Sequence, residues 1–143
     1  DRLLFPDHWA STDELLPEYQ HLAVGDFVPD GSPETGCGFT VVELDPARSL
    51  LLDSTTHLPR SWRERNIATL HWTWVFVLTP LAGERTRFVF RWRGQIEPWW
   101  LRVLCHAVIV PADFLMSRDM MRGLRRRAEG AGPAALRPAV GAA

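Results

Sequence analysis

The feature that most constrains the fold is the segment Ala68–Gly94, in which apolar and polar side chains alternate in two successive runs. Large apolar side chains alternate with smaller or polar ones in the first run, and aromatic side chains alternate with arginines in the second. A period of two residues is typical of a half-buried β-strand. Two such runs around a break at Pro80–Glu84 predict a long antiparallel hairpin.

The arginines predict which side of this hairpin is buried. Arg87, Arg91 and Arg93 share one side of the second run, and three guanidinium groups cannot all be buried without partners. The opposite side is therefore expected to face inward. It carries the aromatic row, which we define as Trp72, Trp74, Phe76, Phe88, Phe90 and Trp92. Small-molecule sites favour aromatic linings, so the row is either a well-filled core or one wall of a cavity.

Composition limits the class of protein. The chain has 143 residues, 46% of them apolar and 23% charged, with a net charge of −1. These values fit one globular domain, and without a basic field no nucleic-acid partner is expected. Cys37 and Cys105 lack metal-site or disulfide-framework spacing, which favours a reduced, cytoplasmic setting. No signal peptide is recognised, and no apolar run approaches the roughly 20 residues of a spanning helix.

Shorter strands are predicted before the hairpin. Apolar runs indicate a short strand at His21–Val28, after a tight turn at Gly25–Asp26, and two further strands at Phe39–Leu44 and Ser49–Ser54. The last two form a second hairpin. Residues 1–20 are expected to be irregular or helical. The polar segment Thr55–Asn66 contains a proline and is expected to be a loop.

Two helices are predicted after the hairpin. Pro98–Val110 is almost entirely apolar and indicates a short helix, and Pro111 is expected to start a new one. Ala112–Glu129 has a period near 3.6 residues, with arginines on one face. The opposite face is apolar and carries Phe114, Met116, Met120, Met121, Leu124 and Ala128. The layout predicts an α+β domain over residues 21–130, with the long helix across the apolar face of the sheet, and a disordered tail over 131–143.

Four phrases of the sequence resemble a known family. They are ELLPEYQHLAVGDFVPDG (Glu14–Gly31), STTHLP (Ser54–Pro59), WTWVFVLTPLAGERTRFVFRWRG (Trp72–Gly94) and PADFLMSRDMMRGLRRRAEG (Pro111–Gly130). In this order they are similar to stretches of uncharacterised bacterial members of the START/polyketide-cyclase-like (SRPBCC) superfamily, which includes plant pollen-allergen-type carriers and lipid-transfer domains. None of the four is a catalytic signature.

The resemblance implies a helix-grip fold. In that fold a curved antiparallel sheet wraps around a long C-terminal helix, and a hydrophobic cavity lies between them. The family normally opens with a strand and small helices, to the end of which Asp1–Ala10 would correspond. The chain is therefore expected to be an N-terminally shortened member, without the first strand and the helices that follow it, and with one sheet edge unpaired.

The candidate ligand site combines both apolar surfaces. Methionine side chains are flexible and polarizable, so a methionine-rich helix face can adapt to different apolar ligands. The candidate ligand-contacting residues are Trp72, Trp74, Phe76, Phe88, Phe90, Trp92, Phe114, Met116, Ser117, Met120, Met121 and Leu124. The five histidines form no metal-ligand spacing. No metal, no cofactor and no catalytic residue is therefore predicted.

Three functions remain open from the sequence. The favoured one is non-enzymatic binding or transport of a hydrophobic small molecule or lipid. The second is a polyketide cyclase or dehydratase, which requires a buried acid or base such as His71, Asp53 or another histidine. The third is a membrane-peripheral or protein-interaction domain that uses Trp99, Trp100 and an arginine cluster. As a binding partner, a membrane is less favoured than a hydrophobic small molecule or lipid. The arginine cluster consists of Arg122, Arg125, Arg126 and Arg127. The oligomeric state is not predicted.

Overall fold

A computed structural model of the chain describes residues 20–30 and 33–130. Within these ranges the protein is of the α+β class, with a five-stranded antiparallel sheet in the order β1-β2-β3-β4-β5 and a long C-terminal helix. The strands are β1 (Phe27–Pro29), β2 (Gly38–Asp45), β3 (Ser49–Ser54), β4 (Thr69–Leu81) and β5 (Arg85–Glu97). The predictions for residues 1–19 and 131–143 lie outside the described residues.

Most helices in the described part of the chain are short. A 3-10 turn spans Pro33–Thr35, and the α-helices are α1 (Arg60–Glu64), α2 (Trp99–Leu104) and α3 (Val110–Gly130), with a π-helical turn at Cys105–Ile109. The described residues divide into two compact units, residues 20–105 with the sheet and residues 106–130 with α3.

The central hairpin predicted from the alternation is present. β4 and β5 pair in unbroken register from Thr69 opposite Glu97 to Leu81 opposite Arg85. The connection is shorter than predicted, because Pro80 lies within β4. On the side away from β5 the pairing of β4 with β3 ends at Val77. Pro80 lies beyond that point, where its missing N–H leaves no ladder bond unmade.

The core of the sheet unit lies on the side of the aromatic row. Leu52 in β3 pairs with Val41 on one side and Trp74 on the other. Leu52, Val41 and Phe39 form the buried cluster, with exposed fractions of 4%, 1% and 1%. An irregularity between Val41 and Glu43 shifts the register of β2 against β3, which is the signature of a β-bulge.

Two local predictions are wrong for identifiable reasons. The first strand begins at Phe27 and not at His21, directly after the turn predicted at Gly25–Asp26. In this turn Gly25 adopts a φ of 96° and the Asp26 carboxylate accepts the N–H of Ala23 at 2.8 Å. The predicted loop Thr55–Asn66 contains helix α1. Pro59 precedes this helix at a position where a missing N–H has no cost.

The predicted restart of the helix at Pro111 is also wrong. The π-helical turn at Cys105–Ile109 connects α2 to α3, so the helical run continues from Trp99 to Gly130. Pro111 is the second residue of α3. A π-helical turn changes the local backbone hydrogen-bond pattern, which lets a proline follow it without breaking the helix.

The helix α3 is only partly buried on its predicted apolar face. Phe114 is 65% exposed and Met116 is 40% exposed, whereas Met120 and Met121 are half-buried. Asp113 is buried, and its carboxylate accepts a hydrogen bond from the Ser117 hydroxyl at 3.5 Å. The amphipathic period is therefore a correct guide to the helix but not to the burial of each residue.

Replacing Val41 with alanine is expected to lower the free energy of unfolding by about 2 kcal/mol, through lost burial and the cavity left behind. The adjacent Val42 is 48% exposed, so Val42→Ala is the matched control and is expected to cost less than about 1 kcal/mol. Urea unfolding followed by circular dichroism measures both. Equal losses would contradict the assignment of the core to this face.

Candidate functional site

The aromatic row forms a continuous interlocked surface across β4 and β5. Trp74 contacts Phe90 edge-to-face with ring centroids 5.5 Å apart, and Phe76 stacks on Phe90 at 5.0 Å. Trp72 meets Trp92 at 5.8 Å. Such pairs contribute about 0.5–1.5 kcal/mol each beyond the burial of area. The rings therefore hold one another in fixed positions before any ligand is present.

The two faces of the hairpin differ sharply in polarity. All six side chains of the aromatic row are half-buried, whereas Arg87, Arg91 and Arg93 are exposed on the other face. This is the alternation that the sequence predicts. The sheet unit therefore has one face built of rings and one lined with guanidinium groups.

Two polar atoms within the aromatic row have no partner. The indole Nε1 atoms of Trp72 and Trp74 are buried, and neither has a hydrogen-bond acceptor among the described residues. A buried donor without an acceptor costs about 1–3 kcal/mol, and native structures contain few of them. These two N–H groups are therefore candidates for contact with a ligand.

A half-buried histidine lies at the Trp72 end of the aromatic row. His57 has a side chain only 12% exposed, and its ring centroid is 4.7 Å from that of Phe39 and 5.2 Å from that of Trp72. Its Nδ1 is 2.8 Å from the Ser54 hydroxyl, and its Nε2 is 3.0 Å from the Asp30 carboxylate. We call Ser54, His57 and Asp30 the polar cluster.

The hydrogen-bond geometry indicates the proton positions in the polar cluster. An ionised carboxylate only accepts, so His57 Nε2 donates to Asp30. In the neutral ring Nδ1 then accepts from the Ser54 hydroxyl. The Ser54 oxygen in turn accepts the N–H of Thr56 at 3.1 Å. Every polar atom of the His57 ring is thus engaged.

Thr56 fastens this cluster to strand β2. Its hydroxyl donates to the carbonyl of Gly38 at 2.9 Å and accepts the N–H of Gly38 at 3.0 Å. The Cys37 thiol is 3.3 Å from the Thr56 carbonyl oxygen. The loop after β3 is therefore tied to the start of β2 by a reciprocal pair of hydrogen bonds.

Sequence reasoning missed the polar cluster. Asp30 and His57 are 27 residues apart, in two segments that both read as loops. No spacing in the sequence marks the pair. The signal that could have found it is the pairing of β1 with β2 and of β2 with β3, which brings the ends of these segments together.

His71 and Asp53, the candidate base and acid of an enzyme, do not lie beside the aromatic row. His71 Nε2 is 2.6 Å from the Asp53 carboxylate, and the two side chains are 51% and 30% exposed. Asp53 pairs with Thr73 in the sheet, and Thr73 pairs with Arg93. The His71–Asp53 pair therefore lies on the arginine-lined face, opposite the aromatic row.

The remaining reactive groups form no site among the described residues. No three histidine, cysteine or acidic side chains in residues 20–30 and 33–130 are grouped so that they could hold a metal ion. Cys37 and Cys105 are free thiols. Burial raises the pKa of the Cys105 thiol, which lowers its thiolate fraction at neutral pH and hence its reactivity.

The predicted ligand contacts on α3 belong to the second compact unit. Ser117, Met120 and Met121 are half-buried, and Phe114, Met116 and Leu124 are exposed. Their contact with a ligand stays a prediction.

An exposed apolar surface precedes α3. Trp99 is 68% exposed, Val103 58% and Leu104 52%. From the sequence no apolar run of spanning length is expected, but by length and composition alone the helical run Trp99–Gly130 is long and apolar enough to cross a membrane. Of its most apolar part, 11% is buried. The core helix of a soluble protein can meet the same two criteria.

Comparison of the chain with protein-family models, with curated proteins and with solved structures finds no match. The family resemblance therefore stays a prediction.

Replacing Thr56 with valine is expected to lower the free energy of unfolding by about 1–3 kcal/mol, because it leaves both backbone groups of the buried Gly38 without partners. The neighbouring Thr55 is exposed, so Thr55→Val is the matched control and should change stability little. Chemical denaturation measures both variants. Indistinguishable midpoints would show that the reciprocal bonds contribute nothing.

Proposed function

We propose that the protein binds or transports a hydrophobic small molecule or lipid on the aromatic face of its sheet. The observation that carries the proposal is the aromatic row itself, six half-buried rings locked against one another. The proposal includes membership of the START/polyketide-cyclase-like superfamily and its helix-grip arrangement, in which the long helix covers this face and encloses the ligand.

Apolar burial is the driving force in this proposal. Burial of apolar surface contributes about 25 cal/mol per Å², so a ligand that removes roughly 200 Å² from water gains about 5 kcal/mol before the costs of association. The rings are held in place in advance, which lowers the ordering cost of binding. Apart from the tryptophan N–H groups, the rings of the row carry no polar atom, so we expect loose selectivity among apolar ligands.

The polar cluster supports a carrier better than a cyclase or dehydratase. A general acid or base must reach the proton that it transfers. Both ring nitrogens of His57 are occupied by Ser54 and Asp30, and the Ser54 oxygen also accepts from Thr56. These groups hold two loops against the sheet, and their role in this proposal is structural. A proton-transfer role would require a substrate to displace Ser54 or Asp30 from His57.

Replacing Phe90 with alanine is expected to weaken the binding of an apolar fluorescent probe about tenfold or more, because a full ring contributes about 1.5–3 kcal/mol when buried. Val89 precedes it in β5 and is 43% exposed on the arginine-lined face, so Val89→Ala is the matched control. Fluorescence titration measures both. Equal affinities for the two variants, with the fold intact, would exclude Phe90 from the site.

A second candidate function, membrane association, is favoured by the exposed side chains at Trp99, Trp100 and Val103. Tryptophan is enriched at membrane interfaces. The arginine cluster supports this function less, because Arg125 contacts Glu129 at 2.9 Å and Arg122 contacts Asp119 at 3.6 Å. The exposed tryptophans are therefore the feature to test.

If the protein associates with membranes, it is expected to co-float with anionic liposomes. The double variant Trp99→Ser/Trp100→Ser is expected to lose at least half of the floated fraction, because it lacks the two interfacial rings. Phe27→Ser is the control, since Phe27 is 50% exposed in β1. Flotation on a density gradient at low salt measures all three. No flotation of the unmodified protein would dispose of the membrane function.

A further inference from the structure

We propose that the ligand of the aromatic row carries a neutral hydrogen-bond acceptor, such as a ketone, ester, amide or hydroxyl oxygen, and that the indole N–H groups of Trp72 and Trp74 donate to it. This inference rests on the proposed function and names the chemical class of its ligand. It starts from the two buried Nε1 atoms that have no acceptor among the described residues.

The chemistry of the indole N–H limits which ligand groups can bind to it. An indole nitrogen only donates, so its partner must be an acceptor. Two polar side chains beside Trp72 are already hydrogen-bonded, Ser54 opposite it in β3 and His57 against its ring. They bond to each other, and the Ser54 oxygen also accepts the N–H of Thr56. A ligand oxygen would therefore satisfy a need that the described residues do not meet.

The sheet register places both donors at one end of the aromatic row. Trp72 pairs with Ser54, and Trp74 with Leu52, so they are successive residues on one face. Their ring centroids are 6.1 Å apart at an interplanar angle of 85°. Farther along the row lie Phe76 and Phe88, whose rings carry no polar atom. A bound molecule would accordingly lie with its oxygen near the tryptophans and its hydrocarbon part along the phenylalanines.

The charges of the sheet unit favour a neutral acceptor over a carboxylate. Within residues 20–105 the arginines of β5 lie on the face opposite the row. At the end of the row where the two tryptophans lie, the ring of His57 contacts Trp72 and its Nε2 hydrogen-bonds to the Asp30 carboxylate. The charge that this contact brings to the tryptophan end is therefore negative. A buried carboxylate without a cationic partner is strongly disfavoured, whereas a carbonyl or hydroxyl oxygen needs only a donor.

The test compares three ten-carbon ligands, an alkane, a methyl ketone and a carboxylic acid, by displacement of a bound apolar fluorescent probe. Trp72→Phe, Trp74→Phe and the double variant remove the N–H groups and keep an aromatic ring. Trp62→Phe is the matched control, because Trp62 packs against Trp100 and not in the row. The quantity measured is the ratio of ketone affinity to alkane affinity in each protein.

We expect this ratio to fall about tenfold in the double variant and to stay unchanged in Trp62→Phe. The acid should bind more weakly than the ketone at neutral pH. A ratio that survives the double variant, or an acid that binds as tightly as the ketone, would overturn the inference while leaving the proposed function intact. Failure of the probe and all three ligands to bind would overturn the proposed function itself. If the double variant does not fold, the single variants decide by the same ratio.

Discussion

The in-register pairing of β3, β4 and β5 is the constraint on which the rest of the structure depends. It aligns Leu52, Trp74 and Trp92 in one row across three strands. Because side chains alternate along a strand, a slip of one residue would turn the rings toward the arginine side and bring guanidinium groups inward. The aromatic row, the buried cluster around Leu52 and the contact between His57 and Trp72 all follow from this one alignment.

The sequence predicts the fold best where a period repeats over many residues. The hairpin is recognisable because thirteen-residue strands supply several cycles of alternation on which apolar and charged side chains separate. Helix α3 is recognisable for the same reason at a different period. Short elements lack this redundancy. Helix α1 has five residues, and a proline before it reads equally well as the start of a helix or as part of a loop.

Of the candidate site, the sequence likewise predicts only the part that has a repeated local pattern. The aromatic row could be predicted because its residues lie on neighbouring strands of one hairpin, where local pattern fixes the face. The polar cluster could not, because Asp30 and His57 meet only after three strands have paired. The unpaired indole N–H groups were equally inaccessible to sequence reasoning, since the lack of an acceptor is a property of the assembled surroundings. The burial of Phe114 was overestimated, because a helical period shows which face of the helix a side chain lies on but not how much of that side chain is buried.

The arginines of β5 have a consequence beyond orientation. β5 is the last strand of the sheet in the described residues, and the outer backbone edge of such a strand can pair with another chain. Arg85, Arg87 and Arg91 place positive charge along that edge, so a second copy approaching edge to edge would bring like charges together. Charged side chains are a common protection of free strands against self-assembly. The same alternation that builds an apolar face thereby discourages fibrillar stacking of the protein.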